Sequence, residues 1–205
     1  MRRTALSPLM QRSTLVLLAS LALTACGLPP RAAAPQLYDF GPPTALAGAP
    51  APGAPALALR VQAGPALEGA AMLYRLAYAD AHQVRAYSQS RWMAPPAELL
   101  QQRLRAGLGQ HYALAPSETG GVRVLTIELE EFSQVFSAPA DSHGLLRLRA
   151  TLVQAAPGGE RLLGQRVLQL QQPAVSPDAP GGVRALAGAS DAAVAELVQW
   201  LQTLR

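Results

Sequence analysis

Three histidines, one cysteine and thirteen carboxylates are the side chains of this 205-residue chain best suited to hold a metal, activate water or form a covalent intermediate. Their spacing argues against most of that chemistry. His82, His111 and His143 lie far apart in sequence, and none belongs to an H-E-x-x-H pair or a cysteine–histidine cluster. His82 and His143 fall in turn-rich segments, and His111 falls at the end of a helical pattern. Asp141-Ser142-His143 contains the residue types of a hydrolytic triad. Triad members meet in space from separate segments, however, and no G-x-S-x-G elbow presents a serine. Glu128, Glu130 and Glu131 cluster, but strand alternation places the first two on one solvated or arginine-paired face. The double glycines at 120–121 and 158–159 fit turns, and no phosphate-cradling glycine motif opens a helix. No catalytic residue, metal or cofactor is therefore expected. The chemistry that remains is a single thiol, Cys26.

Cys26 closes a segment of three zones. Residues 1–12 carry Arg2, Arg3 and Arg12 and no acid, residues 15–23 (LVLLASLAL) are apolar, and Thr24-Ala25 form a small-residue exit. This is the layout of a cleaved secretory leader, over residues 1–25. The apolar run is about half the roughly 20 residues that cross a bilayer. An unpaired thiol in an oxidising compartment is a liability unless it is consumed. Leu23-Thr24-Ala25-Cys26 resembles the lipobox of bacterial lipoproteins. That resemblance implies a diacylglyceryl group on the Cys26 sulfur, cleavage just before it, and acylation, for example by palmitate, of the new amine. Two or more acyl chains anchor stably where one does not, at ~0.8 kcal/mol per buried methylene. By the same resemblance Gly27, a non-aspartate, directs the product to the outer membrane, facing the periplasm. The alternative is an ordinary cleaved leader followed by a free thiol.

The basic balance does not survive the leader. All cations are arginine, and loss of Arg2, Arg3 and Arg12 leaves 14 arginines against 13 acids, a net +1. No basic patch able to drive phosphate binding remains, so nucleic acid is excluded as a partner.

The elements that would position any site follow from periodicity. Residues 26–55 are rich in Pro, Ala and Gly and read as an extended tether, with 36–40 (QLYDF) as an edge strand docking on the domain beyond. The folded domain is expected over 56–205. Leu57, Leu59 and Val61 alternate as one strand; Met72, Tyr74, Leu76 and Tyr78 as a second; residues 83–89 return as a third after the turn ADAH. Pro95-Pro96 opens a helix with Glu98 in its first turn, and Leu100, Leu104 and Leu108 form its stripe, fading near Tyr112. Arg103 lies off the stripe's centre. A long strand over 122–136 carries Leu125, Ile127 and Leu129 on one face. After the turn-like SAPADSHG, Leu146, Leu148, Ala150 and Leu152 share a face opposite Arg147 and Arg149, which face Glu128 and Glu130 across the hairpin. Alternation then breaks between 161 and 171, consistent with a bulge. Residues 182–204 read as one amphipathic helix, or as a shorter one capped by Ser190-Asp191. The fold class is α+β: a two-layer, mainly antiparallel sheet with two amphipathic helices on one face.

Trp92, between a strand and the proline-opened helix, has two readings: a core aromatic under that helix, or, with Arg91, a partner contact.

Over about residues 37–204 the chain resembles the auxiliary lipoproteins of bacterial ABC-type transport systems, the PqiC-like group. The residues that carry the resemblance are Cys26, Tyr38-Asp39-Phe40, MLYRLAY at 72–78, VRAYSQSRWMAPPAELLQQRL at 84–104, and EEFSQVF. Phe40 stands where the family usually has Leu. The resemblance implies a non-enzymatic docking component of an envelope lipid-transport system, with an MCE-domain protein and an ABC permease and ATPase as partners. Two alternatives stay open: a lipid-binding periplasmic carrier, and a structural envelope lipoprotein that self-assembles as a homo-oligomer.

Overall fold

The computed structural model describes residues 33–43, 50–116, 119, 121–156 and 159–204. The leader 1–25, Cys26 and the tether segments 27–32 and 44–49 lie outside the described residues. The compact unit runs from Pro35 to the C-terminus.

Its elements are β1 (Gln36–Tyr38), β2 (Ala56–Ala63), β3 (Ala71–Leu76), β4 (Val84–Trp92), α1 (Pro96–Leu108), β5 (Ala113–Ala115), β6 (Arg123–Ala138), β7 (Asp141–Ala156), β8 (Gly159–Pro173) and α2 (Ala179–Thr203), with a 3-10 turn at Pro65–Leu67. All the strands join one unclosed sheet, so the class is α+β. The alternation in 56–63, 71–92 and 123–173 places these strands where hydrophobic periodicity expects them. The pairing is more mixed than expected. The hairpins β3–β4, β6–β7 and β7–β8 are antiparallel, whereas β1–β4, β2–β5, β2–β6 and β3–β6 are parallel. The reason is one edge shared by two strands. β2 pairs with 123–129 of β6 and β3 with 133–136 of the same strand, so the two lie end to end, joined through the 3-10 turn.

Two bulges tune the faces. In β6 the register slips between Leu129 and Glu131, leaving Glu130 as the extra residue. The buried parity therefore changes from Leu125, Ile127 and Leu129 to Phe132 and Phe136. In β8 the slip leaves Leu163 as the extra residue, which accounts for the broken alternation there.

α1 starts with Pro96 in its first turn and ends at Leu108, short of Tyr112, where Gly109 weakens the helix. Leu99, Leu100, Leu104 and Leu108 are buried, each contributing roughly 1.5–3 kcal/mol by transfer from water. α2 begins at Ala179, earlier than expected. Its cap is Asp178, whose Oδ1 accepts from the Gly181 amide at 2.8 Å. Ser190 is mid-helix instead, donating to the Leu186 carbonyl at 2.8 Å. The two helices pack on each other, and a Cβ at Gly107 of α1 would stand 2.2 Å from Val194 Cγ1 of α2. α2 also lies closely on β7: a Cβ at Gly144 would stand 2.8 Å from the Leu186 nitrogen. This contact explains the one segment read wrongly as a turn. Most of SAPADSHG is strand, with Pro139 and Ala140 as the connection, because its small residues pass beneath α2.

Candidate functional site

A three-residue strand has little stability of its own, yet β1 is held as part of the sheet. Its register sets Gln36, Leu37 and Tyr38 beside Ser90, Arg91 and Trp92, and the Met93 amide donates to the Tyr38 carbonyl at 2.7 Å. Just beyond it, Phe40 enters an aromatic cluster. Its ring meets Trp92 edge-on at 5.6 Å and Phe132 at 5.6 Å, and Trp92 and Phe132 are themselves 5.6 Å apart. Such pairs are worth about 0.5–1.5 kcal/mol each beyond their buried area.

Arg103 of α1 closes the site. It is 6% exposed. Its Nη2 donates to the Phe40 carbonyl at 2.5 Å and the Gly41 carbonyl at 3.2 Å, and Nη1 to the Pro42 carbonyl at 3.4 Å. The same guanidinium pairs with Asp191 Oδ1 of α2 at 3.2 Å and lies 5.8 Å from the Phe40 ring centroid. Gly41 has φ +66°, a left-handed turn in which its amide donates to Asp39 Oδ1 at 2.8 Å. That turn brings three successive carbonyls to one side, where a rigid fork of donors can bind them; the single ammonium of lysine has no such fork. Sequence reasoning missed Arg103. The available signal was its place beside Leu99, Leu100 and Leu104, on the face that helical spacing buries.

Next to this clasp, a groove of about 400 Å³ runs between α1 and α2, lined by Pro43, Arg103, His111, Asp191, Val194 and Val198 among others. Its lining mixes apolar and polar side chains.

The pair singled out from sequence separates. Trp92 is 1% exposed, and its Nε1 has no hydrogen-bond partner among the described residues. Strand alternation turns Arg91 to the opposite face, where it is exposed. Of the two, Arg91 alone is available at the surface. The carboxylate cluster forms ion pairs: Glu130 lies 3.0 Å from Arg147 Nε and 2.9 Å from Arg149 Nη2, and Glu128 lies 3.8 Å from Arg149. The bulge at Glu130 sets it between the two arginines. Glu131, turned the other way, pairs with Arg75 at 3.2 Å.

A second polar cluster is internal. Tyr87 Oη donates to Gln134 Oε1 at 2.9 Å, and Gln134 Nε2 donates to Ser142 Oγ at 2.9 Å. Burial first, then the nearby Tyr74 and Asp178, push the Tyr87 phenol up to about 12. It stays a neutral donor across the physiological range and joins β4 to β6. Asp178 is held below the usual carboxylate range by the Ser176 hydroxyl and then the Gly181 amide. Asp141, Ser142 and His143 are consecutive on β7, so alternation separates Ser142 from its two neighbours. Among the described residues no group of three or more His, Cys, Asp and Glu is placed to hold a metal ion. No described helix is long and apolar enough to cross a membrane.

Fold and clasp together define an α+β domain whose short first strand, β1, is built into its sheet. The chain belongs to the family of ABC-type transport auxiliary lipoprotein components, whose profile matches residues 38–198. The match begins at Tyr38, the last residue of β1, and includes Phe40. Among solved structures, protein XCC0632 from Xanthomonas campestris, assigned to the DUF330 family, is similar, with TM-score 0.65, 19% identity, and coverage of 82% of this chain and 96% of that one. An uncharacterized protein of known structure is similar with TM-score 0.62, 15% identity, and coverage of 82% and 99%. At these identities the likeness is one of fold. No curated protein matches the sequence.

Proposed function

We propose that this protein is a non-enzymatic docking component of an MCE-associated ABC lipid-transport system. It is held at the outer membrane, facing the periplasm, by acyl chains on Cys26 after removal of residues 1–25, with 26–35 as the working part of the tether. The observation that carries this reading is membership, across 38–198, of the transport auxiliary lipoprotein family. The lipobox-like Leu23-Thr24-Ala25-Cys26 supports the anchor. The clasp on Phe40–Pro42 supports the docking role, because a receiver working against a membrane-spanning partner needs its leash joined firmly to its core. Both the MCE-domain protein and the permease–ATPase pair are partners on this reading.

The test is fractionation and capture. The wild-type lipoprotein, solubilised from outer membrane, recovers MCE and ABC components, while Cys26→Ser moves to the soluble periplasm. Recovery of no transport component, or full retention of the serine variant in the outer membrane with complete complementation, overturns the reading.

A self-assembling lipoprotein is the second reading, favoured by one observation. β8 pairs with β7 alone among the described strands, so fifteen residues offer an open edge. Sedimentation of the domain at rising concentration separates monomer from assembly.

A further inference from the structure

The surface that carries Arg91 also exposes large apolar side chains. Leu37 and Arg91 are register partners on β1 and β4, on the face opposite Tyr38 and Trp92, and Met93 follows directly. Leu37 is 64% exposed and Met93 62% exposed, two of the most exposed large apolar side chains among the described residues. Arg91 makes no side-chain ion pair among the described residues. The nearest acid in sequence on β1's flank, Asp39, accepts the Gly41 amide within its own turn. Two exposed apolar groups therefore flank an unneutralised cation at the outermost strand pair of the sheet.

The same strand pair is where the leash arrives. Cys26 precedes Gln36 by ten residues. Ten residues reach at most about 35 Å when fully extended. If the whole 26–55 stretch were slack, the reach would be roughly three times greater. Because β1 is paired and Phe40–Pro42 is clasped by Arg103, the chain is held in the sheet from Gln36 onward. The β1–β4 edge is thus the first folded surface that the anchored chain presents to its own bilayer.

We propose that Leu37, Arg91 and Met93 form a membrane-contact face that rests on the lipid surface holding the Cys26 anchor. The two apolar side chains enter the headgroup–acyl boundary, and the guanidinium pairs with anionic phospholipid headgroups. This rests on the reading of Cys26 as acylated. β8 lies five strands from this contact along the path β1-β4-β3-β6-β7-β8, about 24 Å away along the sheet at ~4.8 Å per strand.

Chemistry of the chain itself supplies the test. Cys26 is the sole cysteine and its sulfur is consumed by acylation, so Met93→Cys gives one labelling site on the mature lipoprotein. Leu162→Cys gives another on β8, at a residue 60% exposed. Each variant is purified from membranes, labelled with an environment-sensitive fluorophore and reconstituted into phosphatidylethanolamine–phosphatidylglycerol vesicles containing spin-labelled lipid. The expected result is several-fold stronger quenching at 93 than at 162. In the Met93→Cys background, Arg91→Glu lowers the contact population at 93 roughly fivefold. Equal quenching at 93 and 162 in protein that floats with the vesicles overturns the face while leaving the anchor intact. Protein that carries no acyl chain and does not float overturns the anchor, and the face falls with it.

Discussion

Replacing Arg103 with methionine is the sharpest perturbation the structure offers, because it keeps a long stem in the buried channel and removes only the donors. The short bond to the Phe40 carbonyl at 2.5 Å carries most of the loss, and the bonds to Gly41 and Pro42 at 3.2 and 3.4 Å are weaker. A charge-assisted hydrogen bond is worth about 1.5–3 kcal/mol net. The ion pair to Asp191 adds less than about 1 kcal/mol, since that carboxylate is 39% exposed and screened by solvent. Together Arg103→Met costs about 3 kcal/mol. For a domain of this size that lowers the melting temperature by about 6–12 °C. The loss is also local. Amides from Gln36 to Gly41, and the Met93 amide that donates to Tyr38, exchange faster, while those of β6 and β7 change only with global stability. Thermal melting and residue-level hydrogen exchange measure both effects. A melting temperature lowered by less than about 3 °C, together with unchanged exchange at Met93, would refute the clasp and with it the short-leash argument.

Gly144→Ala places a methyl 2.8 Å from the Leu186 nitrogen and 2.9 Å from the Ala185 carbonyl carbon, backbone atoms that cannot rotate away. It costs about 3 kcal/mol in urea unfolding. Gly164→Ala, which meets the Leu204 Cδ1 side-chain tip at 2.9 Å, costs visibly less; equal costs would contradict the close seating of α2 on β7. Burial raises the Tyr87 phenol from the ordinary tyrosine value of 10.0 to about 12. Its contribution is full below pH 10 and is lost as pH rises toward 12, because the unfolded chain releases the proton first. Tyr87→Phe removes that part of the alkaline slope of stability; an unchanged slope would show that the phenol is not protected.

Much of the fold was legible because it is written in local periodicity. Period-two alternation located β2, β3, β4, β6, β7 and β8. Proline at 95–96 and the leucine spacing after it located α1, and the broken parity after 161 marked the β8 bulge. The Glu–Arg pairing across β6 and β7 also followed from alternation, short of the bulge that sets Glu130 between Arg147 and Arg149. What failed to read locally was small-residue chemistry under tertiary pressure. Asp141 to Gly144 look like a turn in isolation and form strand because α2 needs a flat, narrow floor. The helix read from 182 starts three residues earlier, at Ala179, because Asp178 caps it through the Gly181 amide.

By itself the sequence determined the composition-level facts: a basic then apolar segment ending at one cysteine, nearly balanced charge beyond it, an α+β order of elements, and no local catalytic motif. Each of these depends on residues within one helical turn, one strand or one short segment, where spacing alone sets the physics. The tertiary structure decided which residues act together across long separations. It ran β2 and β3 end to end beside β6, buried Trp92 while exposing Arg91, and brought Arg103 to the carbonyls of Phe40 to Pro42. Those outcomes depend on desolvation and on the convergence of segments about sixty residues apart, and no local pattern encodes where two distant surfaces will meet.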